Sequence, residues 1–452
     1  MIYVRDIIEK CGGILLCGDM NLSCDNFSKD TRTINEGDIY IGIKGEHFDG
    51  NLFYKKAFDL GAKACILDNI DEEDIGDEYQ KKTIIKVDNT VLCLQNLARY
   101  KRSLYDIPVV AITGSVGKTS TKDMIASVLE QKFKVLKTNG NNNNHIGLPL
   151  TILRLKDEEV MVLEMGMNNR GEIETLASIA RPTIGVITNI GTAHIGNLGS
   201  RENILAAKLE LIKFLSGPLI INNDNDLLHD YMEKIKTSCD VITFGITNDS
   251  DYMANNIDSS FKHFQINGND ITCLVGNRAF IYNSLASYAV GIILNESFSD
   301  IKKGISSFKL TENRLEYKKT KNGALLIDDT YNASLDSIKS SLEILRKEHG
   351  KRKIAVIGDI LELGKYSESI HLEVGRELYN SNLDLVITIG TETKYVDDYL
   401  KNNGFNNVYH FFREEDAHEF IKELLKEGDI VLLKGSHGIN LKNIVSYLLK
   451  QD

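Results

Sequence analysis

The sequence predicts an α/β protein of three domains: a small mixed α/β N-terminal domain, a central P-loop-type parallel-sheet domain and a C-terminal Rossmann-like domain. At 452 residues the chain is long enough for about three domains of ordinary size. A Gly-rich turn lies between an apolar strand and a helix near residue 114, and a regular strand–helix alternation begins near residue 312. We therefore expect domains at residues 1–107, 108–311 and 312–452.

The charge balance argues against a nucleic-acid surface. The chain carries 53 Lys and Arg residues against 64 Asp and Glu residues, a formal net charge of -11. A phosphate backbone instead requires clustered basic residues. Any phosphate group that the protein binds is therefore expected in a local pocket.

The cysteines and the first residues indicate a cytoplasmic protein. The seven cysteines include no C-x-x-C pair, so we expect reduced thiols rather than a disulfide framework or a zinc site. Residues 1–10 lack the apolar segment of a signal peptide, and no stretch approaches the ~20 apolar residues of a membrane span. We expect a soluble, cytoplasmic monomer without a membrane span.

Short strands and helices are predicted in the first segment. Residues 37–42 predict a strand after a turn, residues 51–60 a helix that ends at Gly61, and residues 64–67 another strand. This mixture is typical of a small α/β domain.

A polar loop at residues 27–32 is the first candidate binding element. Ser28, Asp30 and Arg32 bring a hydroxyl, an acid and a guanidinium together, which suits a sugar or a pyrophosphate bound by a bidentate arginine. An exposed polar loop with an internal Asp–Arg pair explains the same residues at least as well. Both interpretations stay open.

The Gly-rich turn after the strand predicted at residues 109–112 indicates a nucleotide phosphate site. A helix follows this turn, so that backbone N–H groups and the positive helix N-terminus face one spot. Gly114 and Gly117 permit a tight turn close to a phosphate. Lys118 can reach the β- and γ-phosphates, and the Thr119 hydroxyl is placed to hold Mg²⁺.

The strict P-loop pattern G-x-x-x-x-G-K-[ST] is not met. Its first Gly would fall on Ile112. The alternative is a Gly-containing strand–helix turn with a surface lysine, but strand, loop, Lys-Thr pair and helix follow in the order that the chemistry needs.

Two further strands are predicted to end in polar residues at the same sheet edge. The apolar run of residues 160–163 ends in Glu164, where a second Mg²⁺ ligand is needed. The strand of residues 184–188 leads to His194. A single His is usually structural, but the shared edge raises its chance of contacting metal or phosphate.

The rest of the central segment contains three candidates with ordinary alternatives. The four asparagines of residues 141–144 are either a polar surface loop or the lining of a site, since each amide offers donors and an acceptor. Lys208, on a helix predicted at residues 201–214, would by itself be interpreted as solvated. Asn283 begins a helical run with small residues on one side.

The last segment predicts regular βα units. Polar loops follow two of its strands, at residues 328–332 and 358–364. No G-x-G-x-x-G accompanies them, so a dinucleotide site is not expected. The predicted strands are residues 324–327, 354–357, 385–390, 408–412 and 430–435.

Motifs along nearly the whole chain resemble those of the Mur ligases, the ATP-dependent amide-forming enzymes of peptidoglycan precursor synthesis. This likeness also accounts for the missing first Gly. The C-terminal motifs at residues 328–334 and 358–364 are the most similar to the family member that adds a dipeptide. The other matching stretches are residues 113–119, 143–151, 164–167, 171–173, 187–194, 207–210, 314–316 and 434–436.

The resemblance implies ATP and Mg²⁺ as cofactors and assigns a role to each matching residue. ATP would contact Gly114, Ser115, Gly117, Lys118, Thr119, Asn283, Arg314 and Asp329. The metal ligands would be Thr119, Glu164, His194 and Lys208, the last as an N-carbamate. Lys118, His194 and Lys208 would be the catalytic residues. Substrates would contact Ser28, Asp30 and Arg32 at the uridine diphosphate end, and Asn144, Tyr331, Asn332, Lys434 and Ser436 elsewhere.

Two departures from the family pattern concern substrate contacts. His437 stands where these ligases commonly carry Arg, and residues 195–200 lack the acidic and aromatic residues that are usual there. His437 can still donate a hydrogen bond, although its charge depends on pH near neutrality.

The resemblance implies a ligase that joins D-alanyl-D-alanine to UDP-N-acetylmuramoyl-tripeptide through an acyl phosphate. The N-terminal domain would bind the UDP-sugar, the central domain ATP and the C-terminal domain the incoming amine. Three alternatives stay open. They are a sister ligase that adds a different amino acid, a folylpolyglutamate-type ligase, which the N-terminal domain disfavours, and a P-loop ATPase switch that forms no bond.

Overall fold

The computed structural model describes residues 2–310 and 312–450. The strands form three main sheets, which follow one another along the chain, and a two-stranded antiparallel ribbon near the N-terminus. The predicted α/β class is confirmed by this mixture of largely parallel strands and helices.

The first segment contains a sheet with the strand order β2-β7-β6-β5-β4. Strands β4 to β7 pair in parallel, whereas β2 pairs antiparallel with β7 and β1 with β3. The elements are β1 (Ile2–Tyr3), α1 (Val4–Cys11), β2 (Ile14–Cys17), β3 (Ser23–Cys24), β4 (Phe27–Ser28), β5 (Ile39–Ile41), α2 (Tyr54–Asp59), β6 (Ala64–Leu67), β7 (Thr83–Lys86) and α3 (Thr90–Ser103).

The second segment holds the largest sheet. Its elements are β8 (Val109–Thr113), α4 (Lys118–Leu129), β9 (Val135–Lys137), α5 (Gly147–Leu153), β10 (Val160–Glu164), α6 (Glu172–Ala180), β11 (Ile184–Ile187), α7 (Ile195–Leu198), α8 (Arg201–Leu209), β12 (Leu219–Asn222), α9 (Asp226–Asp230), α10 (Met232–Lys236), β13 (Val241–Gly245), β14 (Tyr252–Asn255), β15 (His263–Ile266), β16 (Asn269–Thr272), α11 (Arg278–Ile293) and α12 (Phe298–Ser307).

In this sheet β8 lies between β10 and β11, and the chain connections to these two parallel strands run to opposite sides of β8. Within the described residues the order is β16-β15-β14-β13-β12-β11-β8-β10-β9, parallel from β9 to β14. The chain leaves β8 toward β9 and β10 on one side and later returns to β11 on the other. Ligands of such sheets bind beyond the carboxyl ends of the strands at this switch point. The loops after β8, β10 and β11 meet there.

The third segment forms a sheet of the order β17-β18-β22-β19-β20-β21, in which only the edge strand β17 is antiparallel among the described strands. The carboxyl ends of β18, β22 and β19 are therefore neighbours. The elements are β17 (Glu316–Lys319), β18 (Leu325–Asp328), α13 (Leu335–Lys347), β19 (Arg352–Gly358), α14 (Ser367–Tyr379), β20 (Leu385–Ile389), α15 (Lys394–Asn402), β21 (Val408–Phe411), α16 (His418–Leu424), β22 (Asp429–Lys434) and α17 (Lys442–Leu449).

Short 3₁₀ helices complete the secondary structure at several turns. They span Thr31–Thr33, Gly50–Phe53, Glu72–Asp74, Asp77–Tyr79, Glu210–Phe214, Gly364–Tyr366, Glu414–Ala417 and His437–Ile439.

The strands predicted from apolar runs are present, with ends that differ by one or two residues. The sequence analysis missed the antiparallel strands β15 and β16 and the edge strand β17. Their alternating polar residues, as in His263–Ile266, give the short strands of an exposed sheet edge no continuous apolar run.

The largest apolar core is continuous across the three segments. It includes the fully buried Leu97 of α3, Val110 of β8 and Leu342 of α13. A second core, around Ile354 and Val431, lies within the third segment, and a third, around Tyr40, within the first. Shared apolar packing therefore holds the three sheets against one another.

No helix in residues 2–310 and 312–450 combines the length and the apolar character that crossing a membrane requires.

The contact between α12 and α4 predicts that Gly304 tolerates no side chain. A Cβ atom at Gly304 would lie 2.4 Å from the Val128 Cα atom and 2.7 Å from the Ser127 carbonyl oxygen. We expect Gly304→Ala to lower the free energy of unfolding by about 1–3 kcal/mol, because overpacking forces the two helices apart. Urea unfolding measures this loss. Ser306→Ala, at an exposed position of the same helix, is the matched control, and equal stabilities of the two variants would contradict the prediction.

Candidate active site

The polar loops of the second and third sheets face each other across one cavity of about 480 Å³. The loops after β8, β10 and β11 line one side, and those after β18, β19 and β22 line the other. The predicted site residues that line the cavity are Ser115, Gly117, Lys118, Thr119, Asn144, Glu164, His194, Asn283, Arg314, Asp329, Tyr331, Asn332, Lys434 and Ser436.

The Gly-rich loop is fastened to the loop after β11. The backbone N–H groups of Ser115 and Val116 donate to the carbonyl and the side-chain oxygen of Asn189, at 3.1 and 2.9 Å. These two N–H groups are therefore already bonded. Helix α4 begins directly afterwards at Lys118, and its first N–H groups have no carbonyl partner within the helix. Those groups carry the anion-binding capacity of the loop.

Close packing explains the unusual residues of this loop. A Cβ atom at Gly114 would lie 1.9 Å from the Thr188 hydroxyl oxygen, so only glycine fits beside the neighbouring strand. Gly117 precedes the helix with a φ of 83°, in the left-handed region that glycine favours. Ile112, in place of the first P-loop glycine, is completely buried in β8. The isoleucine that replaces the usual glycine therefore packs in the apolar core.

Glu164 is the centre of a buried polar network. Its carboxylate accepts hydrogen bonds from the Thr119 hydroxyl and from the Asn143 amide, both at 2.8 Å. Its backbone N–H donates to the Thr138 hydroxyl at 3.0 Å. The network joins β10 to the first turn of α4, as expected if strand and helix share one binding site.

Arg314 reaches this network from the third segment. Its guanidinium donates to the Thr119 hydroxyl at 3.0 Å and lies 4.0 Å from the centre of the Tyr331 ring. The centres of the His437 and Tyr331 rings are 6.1 Å apart. Tyr331, which is predicted to contact substrate, therefore holds Arg314 in place by a cation–π contact.

Two lysines near the network have depressed pKa values. Burial lowers the pKa of Lys118, an effect that Glu164 opposes and the charge of Arg314 strengthens. The ammonium of Lys118 donates to the Gly114 carbonyl at 2.8 Å.

Lys208 is buried in α8, not solvated as its sequence context suggests. Its side chain is 2% exposed, and it does not line the cavity. Among the described residues its amine has no hydrogen-bond or ion-pair partner. Burial, with a smaller contribution from Lys118, lowers its pKa well below the usual value. A neutral amine is the nucleophilic form of lysine.

His194 pairs with a carboxylate from the opposite side of the cavity. Its Nδ1 atom lies 2.6 Å from the Glu362 Oε2 atom. The hydrogen bond to His194 lowers the pKa of Glu362, against a smaller effect of burial. His194 and Glu362 both line the cavity, so the pair connects the loops of the second and third sheets.

Asn283 and Asp329 lie in a region of serine and amide side chains. The Asn283 side-chain oxygen accepts from the Thr121 hydroxyl at 3.0 Å. Asp329 accepts from the Ser341 hydroxyl at 2.6 Å and from the Lys434 ammonium at 2.5 Å. Lys434, which is predicted to face the amine substrate, thus contacts a residue predicted to bind nucleotide.

Two predicted substrate residues also stabilise loops. Asn144 accepts from the backbone N–H of Gly147 at 2.9 Å, at the start of α5. Ser436 accepts from the backbone N–H of Leu361 at 2.9 Å and thereby joins the loops after β22 and β19.

The polar loop of the first segment does not reach the cavity. Arg32 forms an ion pair with Asp30 at 2.6 Å, and hydrogen bonds from Arg32 lower the pKa of Asp30 to about 2. Ser28 donates to the Asp30 carbonyl at 3.1 Å. This is the geometry of the internal Asp–Arg pair, and the Arg32 guanidinium remains largely exposed.

Sequence reasoning missed three residues that organise the cavity, namely Asn143, Asn189 and Glu362. Asn143 belongs to the asparagine run, but the sequence could not say which of four amides meets Glu164. Glu362 and His194 are 168 positions apart, and no sequence pattern indicates that they pair. Asn189 follows a strand and has no special sequence signal.

The donor set suits a hard cation. The Glu164 carboxylate and the Thr119 hydroxyl are 2.8 Å apart, and oxygen ligands of this kind are those that Mg²⁺ prefers, whereas Asn143 directs its amide nitrogen toward Glu164. The described residues contain no cluster of three or more His, Cys, Asp or Glu side chains with metal-ligand geometry. Threonine, asparagine and lysine are not among these four residue types, so Thr119, Asn143 and Lys208 do not count toward such a cluster.

Comparison with known proteins places these motifs in a family context. The Mur ligase middle domain matches residues 112–291, and the Mur ligase glutamate ligase domain matches residues 313–437. The chain is 37% identical over 430 residues to the UDP-N-acetylmuramoyl-tripeptide–D-alanyl-D-alanine ligase of Bacillus subtilis, covering 93% of this chain and 92% of that protein.

Two crystal structures have a similar fold. One is MurF from Acinetobacter baumannii, with a TM-score of 0.89, 27% identity and coverage of 99% of both chains. The other is the MurF ligase of Thermotoga maritima in complex with ADP, with a TM-score of 0.80, 30% identity and coverage of 94% of this chain and 97% of that one.

The burial of Lys208 predicts a pH-dependent stability difference. The unfolded chain holds a proton on this lysine up to pH about 10.5, which the folded chain releases at lower pH. The wild type should therefore gain stability relative to Lys208→Met as the pH rises, by about 1.4 kcal/mol for each pH unit between the lowered pKa and about 10.5.

Urea unfolding in CO₂-free buffer at pH 7.5, 8.5 and 9.5 measures this difference. Lys213→Met, which removes a lysine that is 56% exposed, is the control and should show no such trend. Parallel stability curves for the wild type and Lys208→Met would contradict a neutral buried amine.

Proposed function

We propose that this chain, which belongs to the Mur ligase family, is an ATP-dependent ligase that joins D-alanyl-D-alanine to UDP-N-acetylmuramoyl-tripeptide. Relatives are named for this reaction, and a crystal structure of similar fold carries the name MurF. The observation that carries it is the cavity between two sheet edges, in which a phosphate-binding loop faces the polar loops of a second sheet.

ATP is proposed to bind across the two sheets. Its phosphates would lie at the N-terminus of α4, against Gly117, Lys118 and Thr119, where unbonded N–H groups favour an anion. Asn283 and Asp329 would contact the adenosine. Burial lowers the pKa of Lys118, and a nearby polyphosphate would raise that pKa and be attracted by the ammonium.

The proposed metal ligands are Thr119, Glu164, His194 and a carbamate on Lys208. Mg²⁺ at this place would neutralise the phosphates and polarise the transferred phosphoryl group. The neutral Lys208 amine would attack the carbon of CO₂ and release one proton to water, so that a buried amine becomes a carboxylate. A buried amine with a depressed pKa and no partner among the described residues favours this reaction.

The amide would form in two steps. The terminal carboxylate of the tripeptide takes the γ-phosphoryl group of ATP, which yields an acyl phosphate and ADP. The free amine of D-alanyl-D-alanine then attacks the acyl carbon, and phosphate leaves as the amide forms. Lys118 and Arg314, on opposite sides of the cavity, would hold the anionic groups together, and the facing sheets would exclude water from the acyl phosphate.

The three domains are proposed to divide the substrates. Residues 1–107 would bind the uridine diphosphate end through Ser28, Asp30 and Arg32, with the exposed Arg32 guanidinium exchanging Asp30 for the pyrophosphate. Residues 108–311 would bind ATP. Residues 312–452 would bind the dipeptide near Tyr331, Asn332, Lys434 and Ser436, and Asn144 would contact substrate from the central side. Monomeric state and cytoplasmic location stay predictions.

A coupled phosphate-release assay tests the reaction. We expect ATP consumption only when UDP-muramyl-tripeptide and D-alanyl-D-alanine are both present, with the new amide detected by mass spectrometry. Stimulation by a single amino acid with a shorter muramyl precursor would identify a sister ligase instead. Phosphate release that is independent of any amine, with no new amide, would identify an ATPase switch.

Lys208→Ala tests the carbamate. We expect the rate of amide formation to fall at least about a hundredfold. Mutation of a residue that only orients a metal ligand typically costs about 10–100-fold in activity, and loss of the ligand itself should cost more. Short carboxylates added to the assay should restore part of the rate by filling the place of the carbamate. Lys213→Ala should react like the wild type. Undiminished turnover of Lys208→Ala would remove this residue from the site.

A further inference from the structure

The pair of His194 and Glu362 joins the two sides of the cavity. His194 follows β11, Glu362 follows β19, and their Nδ1 and Oε2 atoms are 2.6 Å apart. The His194 side chain is 20% exposed and that of Glu362 49%. The contact therefore lies at the cavity wall, where both residues remain accessible to a ligand.

The backbone around the pair enforces this contact. The Gly196 N–H donates to the Glu362 carbonyl at 3.1 Å. A Cβ atom at Gly196 would lie 2.4 Å from that carbonyl oxygen and 2.8 Å from the Gly364 nitrogen. The two loops touch backbone to backbone, which only a glycine at position 196 permits.

Both members of the pair also have unusual backbone angles. His194 and Glu362 each have a φ of 63°, in the left-handed region that residues other than glycine rarely adopt. Such conformations persist only where the surroundings hold them, and they concentrate at functional sites. The orientation of both side chains is therefore a result of the two loops docking together.

The chemistry of the pair selects one form of the imidazole. An ionised carboxylate can only accept hydrogen bonds, so a neutral His194 must carry its proton on Nδ1. The lone pair then resides on Nε2, which has no hydrogen-bond partner among the described residues. Histidines that bind metal characteristically donate their other ring N–H to a carboxylate, which fixes both tautomer and ring orientation.

We infer that Glu362 is a positioning residue that holds His194 with its Nε2 lone pair free to bind the metal ion. This inference rests on the proposed function, because it takes His194 as a metal ligand. It adds a carboxylate from the third segment that acts through His194. The metal site is complete only when the loop after β19 lies against the loop after β11.

Metal binding tests the inference without reference to turnover. Mn²⁺ is the probe, titrated by electron paramagnetic resonance into the full chain with saturating ADP. We expect Glu362→Ala to raise the Mn²⁺ dissociation constant about 10–100-fold, and Glu362→Gln, which keeps an acceptor oxygen of the same reach, to raise it less. Glu368→Ala, at an exposed position six residues further along, should leave it unchanged. Equal dissociation constants for the wild type and Glu362→Ala would overturn the inference.

Nitrogen NMR of the ¹⁵N-histidine-labelled chain at pH 8 gives the second readout. The His194 signal, identified by its loss in His194→Gln, should show the Nδ1–H tautomer in the wild type and lose that preference in Glu362→Ala. A wild-type ring with both nitrogens protonated would overturn the inference, because such a ring cannot bind metal. Matching circular dichroism spectra would verify that the variants are folded.

The ligase assay separates the two proposals. If the wild type forms amide while Glu362→Ala binds Mn²⁺ normally, the positioning role is wrong and the function stands. If the wild type forms no amide while Glu362→Ala loses Mn²⁺ affinity, the proposed reaction is wrong and the positioning role stands.

Discussion

The hydrogen bond between Thr119 and Glu164 is the interaction on which the site depends. It joins the first turn of α4 to the carboxyl end of β10, in a place where both groups are buried. Arg314 adds a cation from the third segment to the same hydroxyl. Buried charge of this kind is stable only when it is paired and hydrogen-bonded. The network therefore links the third segment to the binding loop of the second sheet.

Burying two lysines at the site costs folding free energy, which an anionic ligand would offset. Burial lowers the pKa of both Lys118 and Lys208, and the charge of Lys118 lowers the pKa of Lys208 further. A protein that buries amines without an ion-pair partner loses stability relative to one that buries apolar groups. Anionic phosphates or a carbamate would relieve that cost, which is consistent with a site organised for polyanions in a chain with a net charge of -11.

The elements that could be predicted are those with local signals. Apolar runs marked the strands β8, β10 and β11 of the second sheet and the parallel strands of the third, and the order of strand, Gly-rich turn and helix located the phosphate loop. Most residues assigned through the family likeness line one cavity. The burial of Lys208 could not be predicted, because its helix looks solvated in isolation. The ion pair between Asp30 and Arg32 was one of two interpretations that the sequence left open, and the structure shows that it forms.

The sequence by itself determined the class of fold, the phosphate-binding loop and the family, because these depend on neighbouring residues and on motif spacing. Only the tertiary structure decided which side chains meet. Asn143 rather than its neighbours contacts Glu164, and Glu362 contacts His194 across 168 positions of the chain. Contacts between distant loops depend on how whole sheets pack through a shared apolar core, and no local pattern encodes that packing.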